Sequence, residues 1–385
     1  MSDTIYFDNA ATTIVRDEVF EAMAPFLKGL YGNPSSLYKV ARESKNAIEK
    51  AREQVAAAIG AKSGEIFFTG SGTEADNWAI LSAAWSNKAK GNHIITSNIE
   101  HHAVLHTCEY LEKNGFEVTY LPVDEFGIVK VCDLEKAIRP ETILITIMYA
   151  NNEIGTLQPI AEIGAVARAH GILFHTDAVQ AIGHVPVDVV ADNIDLLALS
   201  AHKLHGPKGV GALYIRNGVK LPSFIHGGAQ ERGRRAGTEN VAGIVGLGLA
   251  MELACKEMED KIPKIRALRE KIINGVLGNV ANAQLNGHRV KRLPGNVNIS
   301  FEFVEGESVL LLLDMKGIAA SSGSACTSGA LNPSHVLMAL GLPHEKAHGS
   351  LRISVGRYNT EEEADRLIAE IGPIVERLRA MSPLC

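Results

Sequence analysis

No stretch of the 385-residue sequence approaches the roughly 20 consecutive apolar residues that a membrane-spanning helix needs. The first residues contain neither a basic segment nor an apolar core, so we expect no signal peptide. Lysine and arginine form no concentrated block and the net charge is −6, which gives no reason to expect direct binding to nucleic acid or to an anionic membrane. We therefore expect a cytoplasmic protein that contacts neither directly.

Cysteine is also scarce. The five cysteines are odd in number and scattered, with no Cys-x-x-Cys pair and no zinc-finger spacing. This pattern excludes a disulfide framework and is typical of free thiols in a reducing compartment. Cys108, Cys132 and Cys255 lie in helical or strand patterns, where we expect a structural role, and Cys385 is a tail thiol with no expected role. Cys326 alone lies in a setting that suggests chemistry.

What the sequence does contain is the residue mixture of a globular protein, 46% hydrophobic and 21% charged, at a length typical of two domains. Short apolar segments alternate with helical patterns, which are clearest over 40–59 and 160–170. Apolar strands between helices predict a mostly parallel sheet that is covered on both faces. The predicted strands are 65–69, 93–96, 118–121, 143–148, 172–175, 196–200 and 211–215.

From residue 251 the pattern changes. A long charged amphipathic helix is followed by short strands over 297–301 and 351–355. Thr360 and Glu363 have the spacing of a capping box, which begins a helix that carries Leu367 inward. We predict a smaller α+β domain here.

One lysine occupies an unusual position. Lys203 follows the predicted strand 196–200 and lies between His202 and His205, just before a Gly-Pro turn. A solvated lysine at a strand end is the ordinary interpretation. The functional alternative is a Schiff-base lysine near an aldehyde cofactor, with an amine made nucleophilic by desolvation or a neighbouring cation.

A turn of small residues over 69–77 joins a predicted strand to a helix that begins near Thr73. Free N–H groups, the helix dipole and the Thr73 hydroxyl would bind a phosphate there. The turn lacks the lysine of a Walker loop and the third glycine of the dinucleotide pattern. A plain tight turn with a threonine cap is the alternative.

Polar residues follow three further strands. Asp177 would suit the ring nitrogen of pyridoxal phosphate, although an N-cap or a structural ion pair is also common there, and Gln180 can donate to the ring oxygen. His101 can stack on an aromatic cofactor and shuttle protons, or simply cap a helix. Asn152 needs a hydrogen-bond partner, which the polar edge of a ligand would supply.

Cys326 lies within a run of small residues over 319–330. Small residues promise little packing, so we expect an exposed and mobile loop. An exposed thiol on such a loop can attack one centre and deliver what it takes to another.

Eight motifs now stand together in order over nearly the whole chain: 8–13, 31–36, 72–74, 152–155, 175–180, 200–203, 234–240 and 321–326. This series resembles the cysteine desulfurases, which are pyridoxal phosphate enzymes of the aspartate aminotransferase-like fold (fold type I). The long cysteine loop resembles the branch that serves nitrogenase and general iron–sulfur cluster assembly. Within that branch, 231–240 and 379–383 look most like the nitrogenase-associated type.

The resemblance implies an α/β protein with three parts. Residues 1–14 would form an N-terminal arm packing with the small domain, and 15–255 the large domain that binds pyridoxal 5'-phosphate. Residues 256–385 would form the small C-terminal domain with the mobile Cys326 loop.

The resemblance also implies residue roles. Lys203 would hold the cofactor covalently and move protons, His101 would stack on its ring, and Thr238 would reach the phosphate of the neighbouring subunit in an obligate homodimer. The catalytic residues would be Lys203, Cys326 and His101. The substrate carboxylate would be bound by Asn152 and Arg352. The cofactor would be contacted by Gly72, Thr73, His101, Asn152, Asp177, Gln180, Ser200, His202, Lys203 and Thr238.

The implied reaction converts L-cysteine to L-alanine and leaves a persulfide on Cys326. An iron–sulfur scaffold or another sulfur-acceptor protein would take the sulfur, for general or nitrogenase cluster assembly. No metal is required, although Cys326 could be a transient iron–sulfur ligand. Housekeeping members continue beyond the Ser-Pro motif at 382–383 and dock their scaffold there, so we do not expect that docking mode.

Two other functions fit parts of the pattern. A related carbon–sulfur or carbon–selenium lyase, or an aminotransferase, would share the cofactor site, but an aminotransferase needs no loop cysteine. A sulfur-carrier or scaffold protein without the cofactor would have no need of Lys203.

Overall fold

A computed structural model describes residues 4–322 and 333–381. The strands are β1 (Ile5–Tyr6), β2 (Ile66–Thr69), β3 (His93–Ser97), β4 (Glu117–Leu121), β5 (Thr142–Thr146), β6 (Leu173–Asp177), β7 (Leu196–Ser200), β8 (Gly211–Ile215), β9 (Ala283–Leu285), β10 (Asn296–Phe301), β11 (Ile318–Ala319) and β12 (Ser350–Ser354). The helices are α1 (Asp17–Lys28), α2 (Lys39–Ala58), α3 (Gly72–Asn87), α4 (His102–Glu112), α5 (Val131–Ala137), α6 (Ile160–His170), α7 (Gln230–Gly233), α8 (Val241–Lys256), α9 (Met258–Asn279), α10 (Gly306–Asp314), α11 (His335–Ala339), α12 (His344–His348) and α13 (Glu361–Met381).

The largest sheet in the described ranges has seven strands in the order β2-β8-β7-β6-β5-β3-β4. β8 runs antiparallel to both of its neighbours, and the other pairs are parallel. The predicted α/β fold with a mostly parallel sheet is therefore confirmed. The bounds of β8 and α6 match the prediction, whereas β5 ends at Thr146 and β6 extends to Asp177.

Helices cover both faces of this sheet because its strands alternate apolar side chains between the two faces. Leu197 and Leu199 of β7 pack in a core with α2, α6 and α8. Leu196 and Ala198 pack in the opposite core, around Trp78 of α3. All five residues of β7 are buried, which explains the continuous apolar run in the sequence.

A second unit is built on the antiparallel sheet β12-β10-β9. Its core combines that sheet with buried side chains of α9, α10 and α13. Near the start of the chain, β1 pairs with β11, and Phe7 lies in this same core. The boundaries drawn at 14/15 and 255/256 remain predictions.

The capping box that begins α13 is confirmed. The Thr360 N–H donates to Glu363 Oε2 at 3.1 Å, and the Glu363 N–H donates back to Thr360 Oγ1 at 3.2 Å. Leu367 points into the core as predicted. Within the described ranges, no helix is both long and apolar enough to cross a membrane.

Candidate active site

The turn between β2 and α3 forms the floor of the candidate site. Ser71 is the N-cap of α3, and its Oγ accepts from the Glu74 N–H at 3.0 Å, so the cap is a serine and not the threonine considered above. The N–H groups of Gly72 and Thr73, in the first turn, have no carbonyl within the helix to bind. Together with the helix dipole they suit an anion.

Gly72 shows that the ends of three strands meet here. A Cβ on Gly72 would lie 2.6 Å from Cγ2 of Val179, which follows β6, and 3.5 Å from Cβ of Ser200, the last residue of β7. The absence of a side chain at Gly72 therefore lets the first turn of α3 approach both strand ends.

Asp177 ends β6 and is almost fully buried. Its Oδ1 accepts the Val179 N–H at 2.9 Å. Burial raises the pKa of Asp177, while charge on His101 and Lys203 lowers it. Asp177 in turn raises the pKa of the buried Asp76, after the larger effect of burial. The positive charge of a protonated ring nitrogen beside Asp177 would lower the pKa of these buried carboxyl groups.

Asp76 is not neutralised by its neighbour His175. Asp76 Oδ1 lies 3.5 Å from His175 Nε2, and neither atom has a hydrogen-bond partner in the described chain. Burial lowers the pKa of His175 to about 3, so the imidazole is neutral and the contact is not an ion pair.

Lys203 ends a single 3₁₀ turn that follows β7. Its Nζ donates to the carbonyl oxygens of Ala10 at 2.6 Å and Ala11 at 2.8 Å. Gln180 Nε2 donates to the same Ala10 oxygen at 3.0 Å. The amine thus lies against the N-terminal segment, which contradicts the interpretation of Lys203 as an ordinary solvated side chain.

His202 contacts the same N-terminal segment, with Nδ1 3.2 Å from Thr12 Oγ1. Burial, followed by the charge of Lys203, lowers the pKa of His202 to about 4. The imidazole is therefore neutral near pH 7 and can donate one hydrogen bond to a phosphate without adding charge.

His101 is the N-cap of α4, and its Nδ1 accepts the Ala103 N–H at 3.1 Å. Because Nδ1 is an acceptor, the proton of the neutral ring resides on Nε2. Burial is the main reason that the pKa of His101 is lowered. A groove of about 590 Å³ lies beside it, lined also by Thr73 and Asn77.

Arg352, on β12, faces the site from the second unit. Its Nη2 donates to Asp8 Oδ1 at 2.8 Å and its Nη1 to the Asn152 carbonyl oxygen at 3.2 Å. Only 4% of Arg352 is exposed, yet its buried Nε has no partner among the described residues. The sequence prediction assigned no role to Asp8. A buried arginine requires a carboxylate, and that requirement was the signal that could have identified it.

Two buried carboxyl groups were also missed. Burial raises the pKa of Glu100 to about 8, and its Oε1 accepts from Ser97 Oγ at 2.5 Å. Burial likewise raises the pKa of Glu153 to about 7, and its Oε2 accepts from Ser334 Oγ. Each has one apolar, buried neighbour in the sequence, Ile99 or Ile154, which was the available signal.

Cys326 and Cys385 lie outside the described residues, so the structure does not test their predicted roles. The described residues on either side of Cys326 do contact the site. Ser321 exchanges two backbone hydrogen bonds with Arg352, at 3.1 and 2.6 Å, and Ser334 contacts Glu153, which adjoins Asn152.

The other thiols differ in their surroundings. Cys108 is buried in α4, where burial raises its pKa, whereas Cys132 is exposed and Cys255 is half-buried. In the parts of the chain that the structure describes, no group of three or more His, Cys, Asp or Glu is arranged to hold a metal ion.

Thr238 is exposed, and within the described ranges no hydrogen bond or ion pair joins it to the site. Its loop is nevertheless fixed: Arg235 pairs with Glu74 at 2.8 Å. At the start of the loop, Glu231 accepts from Arg52 at 2.8 and 2.9 Å, with both side chains buried.

The residues brought together fit pyridoxal phosphate. The first turn of α3 suits a phosphate and the buried Asp177 suits a protonated ring nitrogen. Lys203 offers an amine that is near enough to lower the pKa of Asp177. His101 adds an aromatic ring beside the groove that Thr73 lines. Arg352, with its unpartnered Nε, suits a carboxylate.

Comparison with known proteins agrees with this chemistry. The family model "Aminotransferase class-V" matches residues 5–367. A cysteine desulfurase IscS of Methanosarcina thermophila is 60% identical over 99% of this chain and 94% of its own, and one of Clostridium botulinum is 57% identical over 100% and 97%.

Solved structures are similar over the whole fold as well. One titled "NIFS-LIKE PROTEIN" has a TM-score of 0.92 and 41% identity, covering 97% of this chain and all of the other. "SspA in complex with cysteine" has a TM-score of 0.82 and 41% identity over 93% and 100%. Cysteine desulfurases of the class-V aminotransferases use pyridoxal phosphate. The matched family and the near full-length relatives place this chain in the class-V aminotransferase family, among the cysteine desulfurases.

Proposed function

We propose that this chain converts L-cysteine to L-alanine with pyridoxal phosphate and leaves the sulfur as a persulfide on Cys326. The observation that carries the proposal is that the strand ends leading to Asp177 and Lys203 meet the first turn of α3, while Arg352 is held by Asp8 and the Asn152 carbonyl. When bound, pyridoxal phosphate supplies an electron sink for the carbon atoms of the substrate. The cysteine carbon–sulfur bond becomes a carbon–hydrogen bond, and the Cys326 thiol gains the sulfur, so no external oxidant or reductant is needed.

The large-sheet residues would hold the cofactor. The N–H groups of Gly72 and Thr73, the Ser200 hydroxyl and neutral His202 would bind the phosphate. Asp177 would hold a proton on the ring nitrogen, because a buried carboxylate favours a cation beside it.

Three other side chains would complete this part of the site. His101 would lie against the ring with its Nδ1 fixed by the Ala103 N–H, and Gln180 would donate to the ring oxygen. Lys203 would move the proton of the substrate α-carbon, since its amine is near enough to Asp177 to lower the pKa of that carboxyl.

Arg352 and Asn152 would bind the substrate carboxylate. The buried, unpartnered Nε of Arg352 and the remaining Nη hydrogens supply the donors for a paired contact. Ser321 and Ser334, on either side of the Cys326 segment, contact Arg352 and Glu153. The described residues that flank the Cys326 segment therefore lie beside the proposed carboxylate pocket.

The functional unit would be a cytoplasmic homodimer in which Thr238 reaches the partner's phosphate. Thr238 is exposed on a loop that the Arg235–Glu74 ion pair joins to the turn between β2 and α3 of the same subunit. Large apolar side chains near the N-terminus are exposed as a subunit interface would require, with Tyr31 and Leu37 79% and 90% exposed. An iron–sulfur scaffold or another acceptor protein would then take the sulfur, for general or nitrogenase cluster assembly.

The test uses Cys326→Ala with Cys132→Ala as the matched control, since Cys132 is exposed on α5. We expect Cys326→Ala to abolish sulfide and alanine formation from cysteine while the absorbance of bound cofactor is unchanged, and Cys132→Ala to behave as wild type. Lys203→Ala should lose the absorbance of the covalently held cofactor. Undiminished desulfuration by Cys326→Ala would overturn the proposal.

A further inference from the structure

The side chain of Arg352 is held by a carboxylate from the opposite end of the chain. Asp8 Oδ1 accepts from Nη2 at 2.8 Å, and the two side chains are 19% and 5% exposed. A guanidinium has five N–H donors in a rigid plane. With Nη2 on Asp8 and Nη1 on the Asn152 carbonyl, the Nε–H remains buried and without a described partner.

The backbone of Asp8 is held in place by contacts other than the one with Arg352. Its backbone forms a bridge with Ser354, two residues beyond Arg352. The Tyr6 hydroxyl donates to the Asp8 carbonyl oxygen at 3.0 Å. Just before it, β1 pairs with β11, which joins this short segment to the second unit. The carboxylate therefore projects from a backbone that is anchored on both sides.

We propose that Asp8 is a positioning residue, which fixes the plane of the Arg352 guanidinium so that its free donors meet the carboxylate of the substrate. The inference rests on the proposed function, because it takes Arg352 as the carboxylate-binding residue. Two planar groups pair well only when their orientation is set. The hydrogen bond from Nη2 to Asp8, together with the one from Nη1 to the Asn152 carbonyl, fixes that orientation and leaves donors for a second carboxylate.

A purely structural role for Asp8 predicts something different. If Asp8 only anchors the N-terminal segment, its loss also disturbs Ala10 and Ala11, whose carbonyls accept from Lys203. Every ligand of the site would then be affected, whether or not it has a carboxylate. A role through Arg352 affects only ligands with a carboxylate.

The experiment compares Asp8→Ala and Asp8→Asn in the holoenzyme. Asparagine keeps an oxygen acceptor for Nη2, whereas alanine removes it. Asp365→Ala is the matched control, because Asp365 pairs with Lys271 at 2.8 Å on the exposed surface between α9 and α13. The measurements are kcat and KM for L-cysteine, and dissociation constants for L-alanine and L-alanine methyl ester from the absorbance change of the bound cofactor.

For Asp8→Ala we expect KM for cysteine and the dissociation constant of alanine to rise about tenfold or more, with kcat changed less than about threefold. The methyl ester, which lacks the charged carboxylate, should bind as it does to wild type. Asp8→Asn should restore the wild-type KM, and Asp365→Ala should change none of these values.

Equal weakening of alanine and its ester, a loss confined to kcat, or an Asp8→Asn defect as large as that of Asp8→Ala would each overturn the positioning role. If Asp8→Ala fails to bind cofactor, Asp8→Ser, which is too short to reach Nη2, takes its place in the same comparison. Failure of the proposed function is distinguishable, because wild-type enzyme would then form no alanine from cysteine.

Discussion

The buried carboxyl group of Glu100 makes a specific prediction about the pH dependence of stability. Glu100, which precedes His101 in the chain, is fully buried, and its carboxyl group accepts hydrogen bonds from Ser97 Oγ and the Met148 N–H. Burial is the main cause that raises its pKa from 4.5 to about 8. We therefore expect Glu100→Gln, a neutral side chain of the same shape, to reduce the loss of stability at alkaline pH.

The sign follows from proton binding. Between pH 4.5 and 8 the folded protein keeps a proton on Glu100 that the unfolded chain releases, so stability falls as the pH rises through this interval. The contribution is fully present below pH 4.5 and lost once the pH passes about 8. At about 1.4 kcal/mol for each pH unit, the loss amounts to roughly 5 kcal/mol.

This free energy can be converted to a melting temperature. An unfolding entropy of about 2.1 cal/mol/K for each residue gives roughly 0.8 kcal/mol/K for a chain of this length. The full Glu100 contribution therefore corresponds to about 6 °C, of which about 5 °C falls between pH 5 and pH 9. Thermal unfolding of wild type and Glu100→Gln, followed by circular dichroism at each pH unit in this range, measures it.

The decisive quantity is the difference in Tm between the two proteins as a function of pH, because other titrating groups contribute equally to both. We expect Glu100→Gln to be the less stable or equal protein at pH 5 and the more stable one at pH 9. A difference in Tm that stays constant from pH 5 to pH 9 would refute the assignment of the raised pKa to Glu100.

Two further predictions concern the turn and the loop beside the site. Gly72→Ala should weaken cofactor binding by the apoenzyme at least about tenfold, because the new methyl group would displace the turn between β2 and α3. Absorbance titration measures this binding. Gly278→Ala on α9 is the control and should leave binding intact, because a Cβ there meets nothing within 4 Å. Glu231→Gln should destabilise the fold by roughly 3–5 kcal/mol in urea unfolding, because the buried Arg52 would lose its buried carboxylate and keep only the exposed Glu49 at 3.3 Å. Asp365→Asn, at an exposed ion pair, should lower the free energy of unfolding by less than about 1 kcal/mol. Equal effects of the two substitutions would contradict the importance of burial.

Much of the large domain's architecture could be predicted because burial leaves a pattern in the sequence. Leu196 to Ser200 is apolar throughout because both sides of β7 face a core. The capping box of α13 was equally readable, since it requires two side chains at a fixed spacing. The strand order and the antiparallel placement of β8 were not predicted, because they depend on contacts between distant segments.

The candidate site could be predicted where side chains carry the chemistry, as at Lys203 and Asp177. It could not be predicted where the backbone does so. The carbonyl groups of Ala10 and Ala11 accept from Lys203, and alanine gives no sign of that role in the sequence. The roles of the site residues, Lys203, Asp177, Cys326 and Thr238 among them, remain predictions.

The Asp8–Arg352 ion pair joins positions 344 residues apart in the chain. During synthesis, early segments fold before late ones emerge, so the large sheet can form while Arg352 has not yet been made. The pocket proposed for the substrate carboxylate is then absent from every shorter intermediate, even one that already presents Lys203. If Arg352 binds the substrate carboxylate as proposed, β12 and one of the first segments of the chain must meet before cysteine can be held. Reactive sulfur would then be released only by finished molecules.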